Sequence, residues 1–463
     1  MVSVVYIIFL CGCASEIGGR LPIIGFADGF VWEISPDYIR VVISAPGFSG
    51  YFHESVEITC SGAFSVYDGE SVLCFRAGDV FRHVSDENEN AFIITPDNRN
   101  ECLEFIGRGT YRGILEISRA AEGFVIVNEL PLEEYLYAVV PSEMPSSYGV
   151  QASMVQAVTA RTFAYYQMRE NRFAEFGAHV DDSVMSQVYN NIAENEISIE
   201  AVQATRGQVL TYNGEIVLAN YFSTSGGTTA NFGEVWASGE QFPSETPEFL
   251  RARAQFLAHV PGDLRTEAAA AEFFRNKEIP AFDRDFSWFR WEVTMTVAQL
   301  SERINSALPE RYAANPAMIY FSTSADNIGT LTDIEVTRRG QGGNIMEIIF
   351  HGTNASVRVE TEYNIRALLN PREIPVTRHD GSQSGRLSLL PSAFFTTELH
   401  YDATNQLIAA TFYGGGNGHG VGMSQNGVRA LLDMGLTYIE ILQHYYPGTE
   451  ITSSLLLHCG VFY

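Results

Sequence analysis

The segment 128–168, NELPLEEYLYAVVPSEMPSSYGVQASMVQAVTARTFAYYQM, restricts this chain more than any other. Within it, Pro141-Ser142-Glu143-Met144-Pro145 sets a proline on either side of one carboxylate. Each proline fixes its own φ and pushes the residue before it out of helical geometry. The expectation is a stiff, non-helical turn from which the Glu143 side chain is aimed. Asn128-Glu129-Leu130-Pro131 reads as a polar break ahead of it. Ser146 or Ser147 is placed to cap a long helix whose Ala152, Val155, Val158 and Thr162 fall on one stripe. Gln156 and Arg161 lie on the flanks of that helix.

Around this segment the chain reads as α+β, rich in strands. Short runs of β-branched and apolar residues at 38–44, 56–60, 63–67, 91–95 and 111–117 are separated by Gly, Asp and Asn. Residues 85–90 read as an acidic surface loop. Further on, 202–210 and 216–222 read as strands joined by an Asn213-Gly214 hairpin turn. Helices are expected over 267–274 and 297–308, the second with Val297, Leu300, Ile304 and Leu308 on one face. A second hairpin turns around Gly340-Gln341-Gly342-Gly343, and Trp288 and Trp291 read as packing residues. Near the end, Ser424 is placed to cap a helix, and Thr437 with Glu440 forms a capping box for another. The expected divisions are a leader at 1–20, a β-rich region at 21–127, a helix-containing catalytic core at 128–265, an inserted α+β module at 266–375, and the rest of the core at 376–463.

Charge narrows the partners. With 29 basic and 55 acidic residues the net charge is −26, which disfavours nucleic acid and anionic lipid as broad partners. Any polyanionic polysaccharide partner would be repelled by such a surface and has to be gripped in a local cleft. Residues 2–12 form an apolar run of signal-peptide length, too short to span a bilayer comfortably. Leu10-Cys11-Gly12-Cys13 resembles a bacterial lipobox, although no Lys or Arg precedes the run. The expectation is an exported protein at the envelope, secreted or lipid-anchored through Cys13, with membrane contact only through that anchor. A first strand of the fold is the alternative. Cys60 and Cys74 are spaced to pair across a hairpin or to remain free thiols.

The motifs themselves carry a resemblance. Leu130-Pro131-Leu132-Glu133 with Tyr135 and Leu136, then Glu143-Met144-Pro145, lead to a helix carrying Gln156-Ala157-Val158 and Ala160-Arg161-Thr162. Ser186-Gln187-Val188-Tyr189, 204–210 (ATRGQVL), 221–227 (YFSTSGG) and 418–425 (GHGVGMSQ) follow in order. From about Tyr111 onward the chain is similar to the SpoIID/LytB family of bacterial cell-wall proteins. The resemblance implies a peptidoglycan lytic transglycosylase of cell-wall or spore-wall remodelling, acting on glycan strands stripped of stem peptides. In that reaction one Glu protonates the glycosidic oxygen after MurNAc, then as carboxylate takes the proton of the C6 hydroxyl that closes a 1,6-anhydro ring. Glu143 is the matching residue, and no second carboxylate stands out at a matched block as a hydrolase pair about 5–10 Å apart would require, since Glu133, Glu134 and Glu234 read equally well as surface groups. A carboxyl in a partly apolar turn is expected to titrate high, as a proton donor must.

The same resemblance marks Arg161, Gln187, Tyr189, Tyr221, Ser223, His419, Ser424 and Gln425 as substrate-binding candidates. The LytB branch supplies a rival: a non-catalytic protein that binds glycan and stimulates a cell-wall amidase. Plain structural readings stand beside each candidate. Glu143 can serve as a helix-end charge, Arg161 as a buried ion-pair member, and His419 as a hydrogen-bonded packing residue. Some relatives carry a zinc site near the Gln-x-Tyr block. Here that region offers His179, Asp181, Asp182, Ser183 and Ser186 without cysteine, so neither a metal nor a cofactor is expected. Asn426 stands where relatives commonly carry an aromatic residue.

Overall fold

The strand Gly123–Pro131 and the helix that follows it without a loop place the Pro-Ser-Glu-Met-Pro segment. A computed structural model describes residues 38–48, 50–84, 91–256 and 262–454. The leader, Cys13, the acidic loop at 85–90 and Cys459 lie outside the described residues. The chain divides into two compact units. Among the described residues, one holds 38–143 and 164–206, and the other holds 144–163 and 207–454.

In the first unit a seven-stranded sheet runs, in spatial order, Val180–Asp181, Tyr38–Val42, Gly123–Pro131, Ile114–Ala120, Phe92–Pro96, Phe64–Tyr67 and Val72–Phe75. Its pairings are antiparallel except that of Val180–Asp181 with Tyr38–Val42, which is parallel. A four-stranded sheet of Val80–Val84, Ser55–Cys60, Leu103–Phe105 and Gly109–Tyr111 joins it. Strict alternation in Ser55–Cys60 sends Val56, Ile58 and Cys60 inward, and Phe81 meets Phe92 of the larger sheet at 5.3 Å. The segment read as a polar break, 128–131, is instead the end of the longest strand of this sheet. Asn128 is fully buried and donates through Nδ2 to the carbonyls of Arg112 and Ile114, while Glu129 pairs with Arg40.

Helix α1 (Leu132–Glu143) follows at once and buries Leu132, Tyr135, Leu136, Val139 and Val140. It runs through Pro141, so Glu143 ends a helix and does not sit on a non-helical turn. Proline at 141 leaves the Tyr137 carbonyl without its usual helical donor. The Ser198 hydroxyl lies 3.2 Å from that oxygen and supplies a substitute. Beyond Pro145, Ser146–Tyr148 form a single 3-10 turn, and α2 (Val150–Glu170) begins only after Gly149 at φ 88°. From Val155 to Tyr165 every residue of α2 is buried, a wider burial than the one stripe expected. Residues 202–204, expected in a strand, instead end α3 (Glu196–Ala204), which a capping box of Asn195 and Ser198 opens.

The second unit begins its sheet structure with the Asn213-Gly214 hairpin, both residues at positive φ (53° and 85°) as such a turn requires. Helices α4 (Glu267–Arg275) and α5 (Val297–Ala314) follow, α5 burying Val297, Leu300, Ile304 and Leu308. Strand Trp291–Thr296 pairs with Leu407–Gly414, which pairs with Phe395–Tyr401. A strand inside the span 266–375 is thus hydrogen-bonded to strands beyond it, up to Gly414. A second sheet of Ile319–Phe321, Ser356–Glu360, Ile345–Gly352 and Leu331–Arg339 packs with α5 and α6 (Glu362–Leu368) around one apolar core. Two-residue parallel strands, Tyr221–Phe222 and Met423–Ser424, lead into α7 (Gln425–Asp433), and α8 (Tyr438–Tyr445) carries the expected Thr437–Glu440 capping box. Among the described residues no helix is long and apolar enough to cross a membrane.

Candidate active site

In the first unit one assembly gathers Asn128, Tyr135, Glu143, Gln187, Val188 and Tyr189. Glu143 is partly exposed at the end of α1, and its Oε1 accepts the Val188 N–H at 2.7 Å. The neighbouring Ser142 Oγ accepts the N–H groups of Asn191 and Ile192 at 3.1 and 2.9 Å. The end of α1 thus holds the loop 188–192 by its backbone. Tyr135, fully buried, donates to Gln187 Oε1 at 3.3 Å. Burial first, then the negative charge of Glu143, pushes the Tyr135 phenol well above its usual pKa. Tyr189 stacks near Tyr135 at 4.9 Å and donates to Asn128 Oδ1 at 2.8 Å.

These contacts correct two expectations. Gln187 is fully buried and Tyr189 nearly so, with their polar atoms already engaged by protein. They shape the loop from behind and present no face to a sugar. The residues at the relatives' zinc position are engaged likewise. His179 Nδ1 accepts the Arg40 N–H at 3.0 Å, Asp182 accepts the Ser44 N–H at 3.0 Å and pairs with Arg108 at 3.1 Å, and Tyr51 donates to Asp181 at 3.1 Å. The Asp181 N–H donates to Ser186 Oγ at 3.2 Å, and the Ser183 hydroxyl donates to Asp181.

In the second unit Arg161 is also fully buried. It donates to the Ala157 and Gln208 carbonyls at 3.4 and 3.2 Å, while Thr162 Oγ1 accepts the Leu210 N–H at 2.9 Å. The Gln-Ala-Val-x-Ala-Arg-Thr helix and the strand Gln208–Tyr212 are therefore partners in one joint. Ser424 is fully buried and caps α7, accepting the Gly427 N–H at 3.3 Å. Gln425 is nearly buried and reaches Gln156 at 3.5 Å. Arg161, Ser424 and Gln425 thus join Gln187 and Tyr189 as internal supports.

Tyr221, Ser223 and His419 are partly exposed. His419 nevertheless has both ring nitrogens in use: Nδ1 accepts the Val421 N–H at 3.1 Å, so Nε2 carries the proton and donates to the Tyr221 carbonyl at 3.0 Å. Phe222 and Trp236 wall the ring at 5.7 and 4.9 Å. One edge reaches the surface, yet burial holds the imidazole neutral, with its pKa down to about 3. Neither a proton shuttle nor a free sugar contact remains to it; His419 pins the glycine loop to Tyr221–Phe222. Asn426 bridges Tyr148, from which its Oδ1 accepts at 2.7 Å, and Thr224, to which its Nδ2 donates at 2.8 Å. The polar hub of these loops also includes Asp283, buried and bonded to Ser225 and Ser424, which sequence reasoning missed. Nothing around Phe282-Asp283-Arg284 separates it from the many surface acids.

Residues 120–212 match the family model described as Stage II sporulation protein, and residues 230–422 match a domain of unknown function, DUF8618. The amidase enhancer of Bacillus subtilis (strain 168) is 27% identical over 69% of this chain and 40% of its own length. Stage II sporulation protein D of the same strain is 26% identical over 71% of this chain and 76% of its own. The chain is thus similar to the SpoIID/LytB family, most directly over residues 120–212. An uncharacterized protein of Brachyspira hyodysenteriae is also similar, 27% identical over 74% of this chain and 72% of its own length. The chain spans about 40% of the length of the amidase enhancer it matches. The Stage II sporulation protein match takes in the whole assembly around Glu143, from Asn128 to Tyr189. The domain of unknown function covers α4, α5 and α6 and the strands from Trp291–Thr296 to Leu407–Gly414.

Proposed function

We propose that this chain binds peptidoglycan outside the cytoplasm and remodels the cell wall, cleaving glycan strands as a lytic transglycosylase. The observation that carries the reading is Glu143. It is a partly exposed carboxyl held through one oxygen by the Val188 N–H, in the segment that matches the sporulation-protein model. Oε1 is anchored, which orients the group. As acid, Glu143 gives its proton to the oxygen between MurNAc and the next sugar; as carboxylate it then takes the C6 hydroxyl proton while that oxygen attacks C1. The substrate supplies the nucleophile, so one carboxyl suffices. Tyr221 and Ser223, both partly exposed, are candidates to contact sugar in this reading. The N-terminal segment, with Cys13, supplies export or an anchor in this reading, and no cofactor takes part.

Incubation of the chain with denuded glycan, followed by mass spectrometry of the fragments, should release 1,6-anhydro-MurNAc ends that Glu143→Ala abolishes. Release that persists in the variant removes Glu143 from the chemistry. The relative named amidase enhancer favours a second reading, glycan binding that stimulates a cell-wall amidase. In that case the wild-type chain yields no anhydro ends, while amidase stimulation is the same with Glu143→Ala.

A further inference from the structure

A second arrangement on α1 has no part in the reaction just described. Glu134, Ala138 and Ser142 follow one another at four-residue spacing along one face of this helix. Ser142 accepts the Asn191 and Ile192 N–H groups, so the loop that runs on to Glu194 lies against that face. A cleft of about 50 Å³ opens there, lined by Glu134 and Ala138 of the helix, Ala193 and Glu194 of the loop, and Thr110 and Arg112 from the neighbouring sheet.

Two polar atoms in this cleft are left facing each other. Arg112 donates to Glu194 through Nε at 2.9 Å and through Nη2 at 3.0 Å. Its Nη1 stands 4.0 Å from Glu134 Oε2, beyond hydrogen-bond reach. Glu134 is held by its other oxygen, which accepts from Arg99 at 3.2 Å. Among the described residues neither Arg112 Nη1 nor Glu134 Oε2 has a hydrogen bond. A charged donor and a charged acceptor thus face each other across a gap that one hydroxyl closes, accepting from Nη1 and donating to Oε2. Ala138, partly exposed, and Ala193, exposed, add the apolar part of the lining.

We propose that this cleft is a sugar subsite that selects N-acetylglucosamine over stripped MurNAc. The 3-hydroxyl bridges Arg112 and Glu134, and the methyl of the acetamido group on the next ring carbon rests on Ala138 and Ala193. The proposal rests on the reading that the chain binds peptidoglycan glycan. Both sugars carry the acetamido group, but only N-acetylglucosamine has a hydroxyl at C3. In MurNAc that oxygen is an ether, with no proton to give to Glu134, and it carries a lactyl carboxylate that Glu134 Oε2 repels. The small volume admits an acetyl methyl and leaves no room for a longer acyl chain.

The test reads sugar choice apart from cleavage. The Glu143→Gln chain is titrated by NMR with the methyl β-glycosides of N-acetylglucosamine, of its N-propionyl analogue and of MurNAc. N-acetylglucosamine should bind about tenfold more tightly than either of the others. Glu134→Ala removes both the acceptor and the repelling oxygen and should bring N-acetylglucosamine and MurNAc within about twofold of each other. Ala193→Gly widens the cleft and should recover binding of the propionyl sugar alone, which a merely structural ion-pair network does not produce. Equal binding of the three sugars by the parent, or no binding of any, overturns the subsite. So does a preference that Glu134→Ala retains, or a propionyl penalty that Ala193→Gly leaves in place. Anhydro-MurNAc release by the chain with Glu143 intact is followed in parallel. No release with the sugar preference present sinks the transglycosylase reading alone; release without the preference sinks the subsite alone.

Discussion

The two motif-bearing regions are built in opposite ways. Around Glu143, buried side chains from matched motifs (Tyr135, Gln187, Tyr189), with Asn128 from the strand just before them, hold a loop whose backbone then holds the carboxyl. Around Ser225 and Ser424, the matched motifs are loops whose junction depends on a residue from outside them, Asp283. In the first region the motif carries its own support; in the second the support comes from elsewhere in the chain. The difference teaches that a motif residue is often there to hold another one. Of nine sequence-marked candidates, Arg161, Gln187, Tyr189, Ser424 and Gln425 are buried supports, while Glu143, Tyr221, Ser223 and His419 reach the surface.

The strongest way to break this contrast is at Glu143. Glu143→Gln keeps an oxygen for the Val188 N–H and should lower anhydro-product formation by about 10²–10⁴-fold. Its thermal midpoint should stay close to wild type. A large drop in melting temperature with activity retained would make Glu143 one more support. Arg161→Met tests the opposite assignment. It leaves the Ala157 and Gln208 carbonyls without their buried donor and should cost about 2–4 kcal/mol in urea unfolding. If glycan affinity falls while stability holds, Arg161 reaches substrate and the support reading fails.

How far the sequence revealed this can be judged residue by residue. The Asn213-Gly214 turn, the Thr437–Glu440 capping box and the apolar face of α5 were legible because each is a local rule obeyed over a few residues. The strand end at Asn128 and Glu129 was not, since polar residues in a strand look like a break unless their distant partners, Arg112, Ile114 and Arg40, are known. Pro141 inside α1 was misread for the same reason: Ser198, far along the chain, faces the carbonyl that the proline leaves free. At the site, motif membership located Glu143 but could not separate contact from support. That separation is burial, which is a property of the packed chain. Asp283 carried no signal at all.

Acid sharpens the comparison next, through groups of opposite sign. His419, His179 and His444 have pKa values lowered to about 3, about 4 and about 4, each mainly by burial. The unfolded chain takes up those protons near pH 6.5, the folded chain only near 3–4. Their contribution to stability is thus complete above about pH 6.5 and is lost as pH falls towards 4. Asp283, raised to about 7, works in reverse: its contribution is complete below about pH 4 and is lost as pH rises through 7. His419→Gln should therefore flatten the acid limb of a melting-temperature profile, by about 1–2 kcal/mol across that window. Asp283→Asn should remove the opposing loss of stability that runs from about pH 4 to about pH 7. If His419→Gln leaves the acid limb unchanged, the ring is not held neutral by the fold.

The smallest effect decides a finer point. Tyr189→Phe removes one hydroxyl, and the buried Asn128 Oδ1 loses the donor that stands 2.8 Å away. Asn128 cannot turn to find another, because its Nδ2 is committed to the Arg112 and Ile114 carbonyls. The cost should be about 1 kcal/mol, a shift of a few degrees in melting temperature. The ring itself remains and keeps its packing on Tyr135. Because the hydroxyl is spent inside the protein, glycan affinity and anhydro-product formation should stay within about twofold of wild type once measured well below the midpoint. An affinity loss exceeding the stability loss would mean that the loop opens to bring Tyr189 onto the sugar. The first region would then resemble the second, with a contact residue waiting behind a junction.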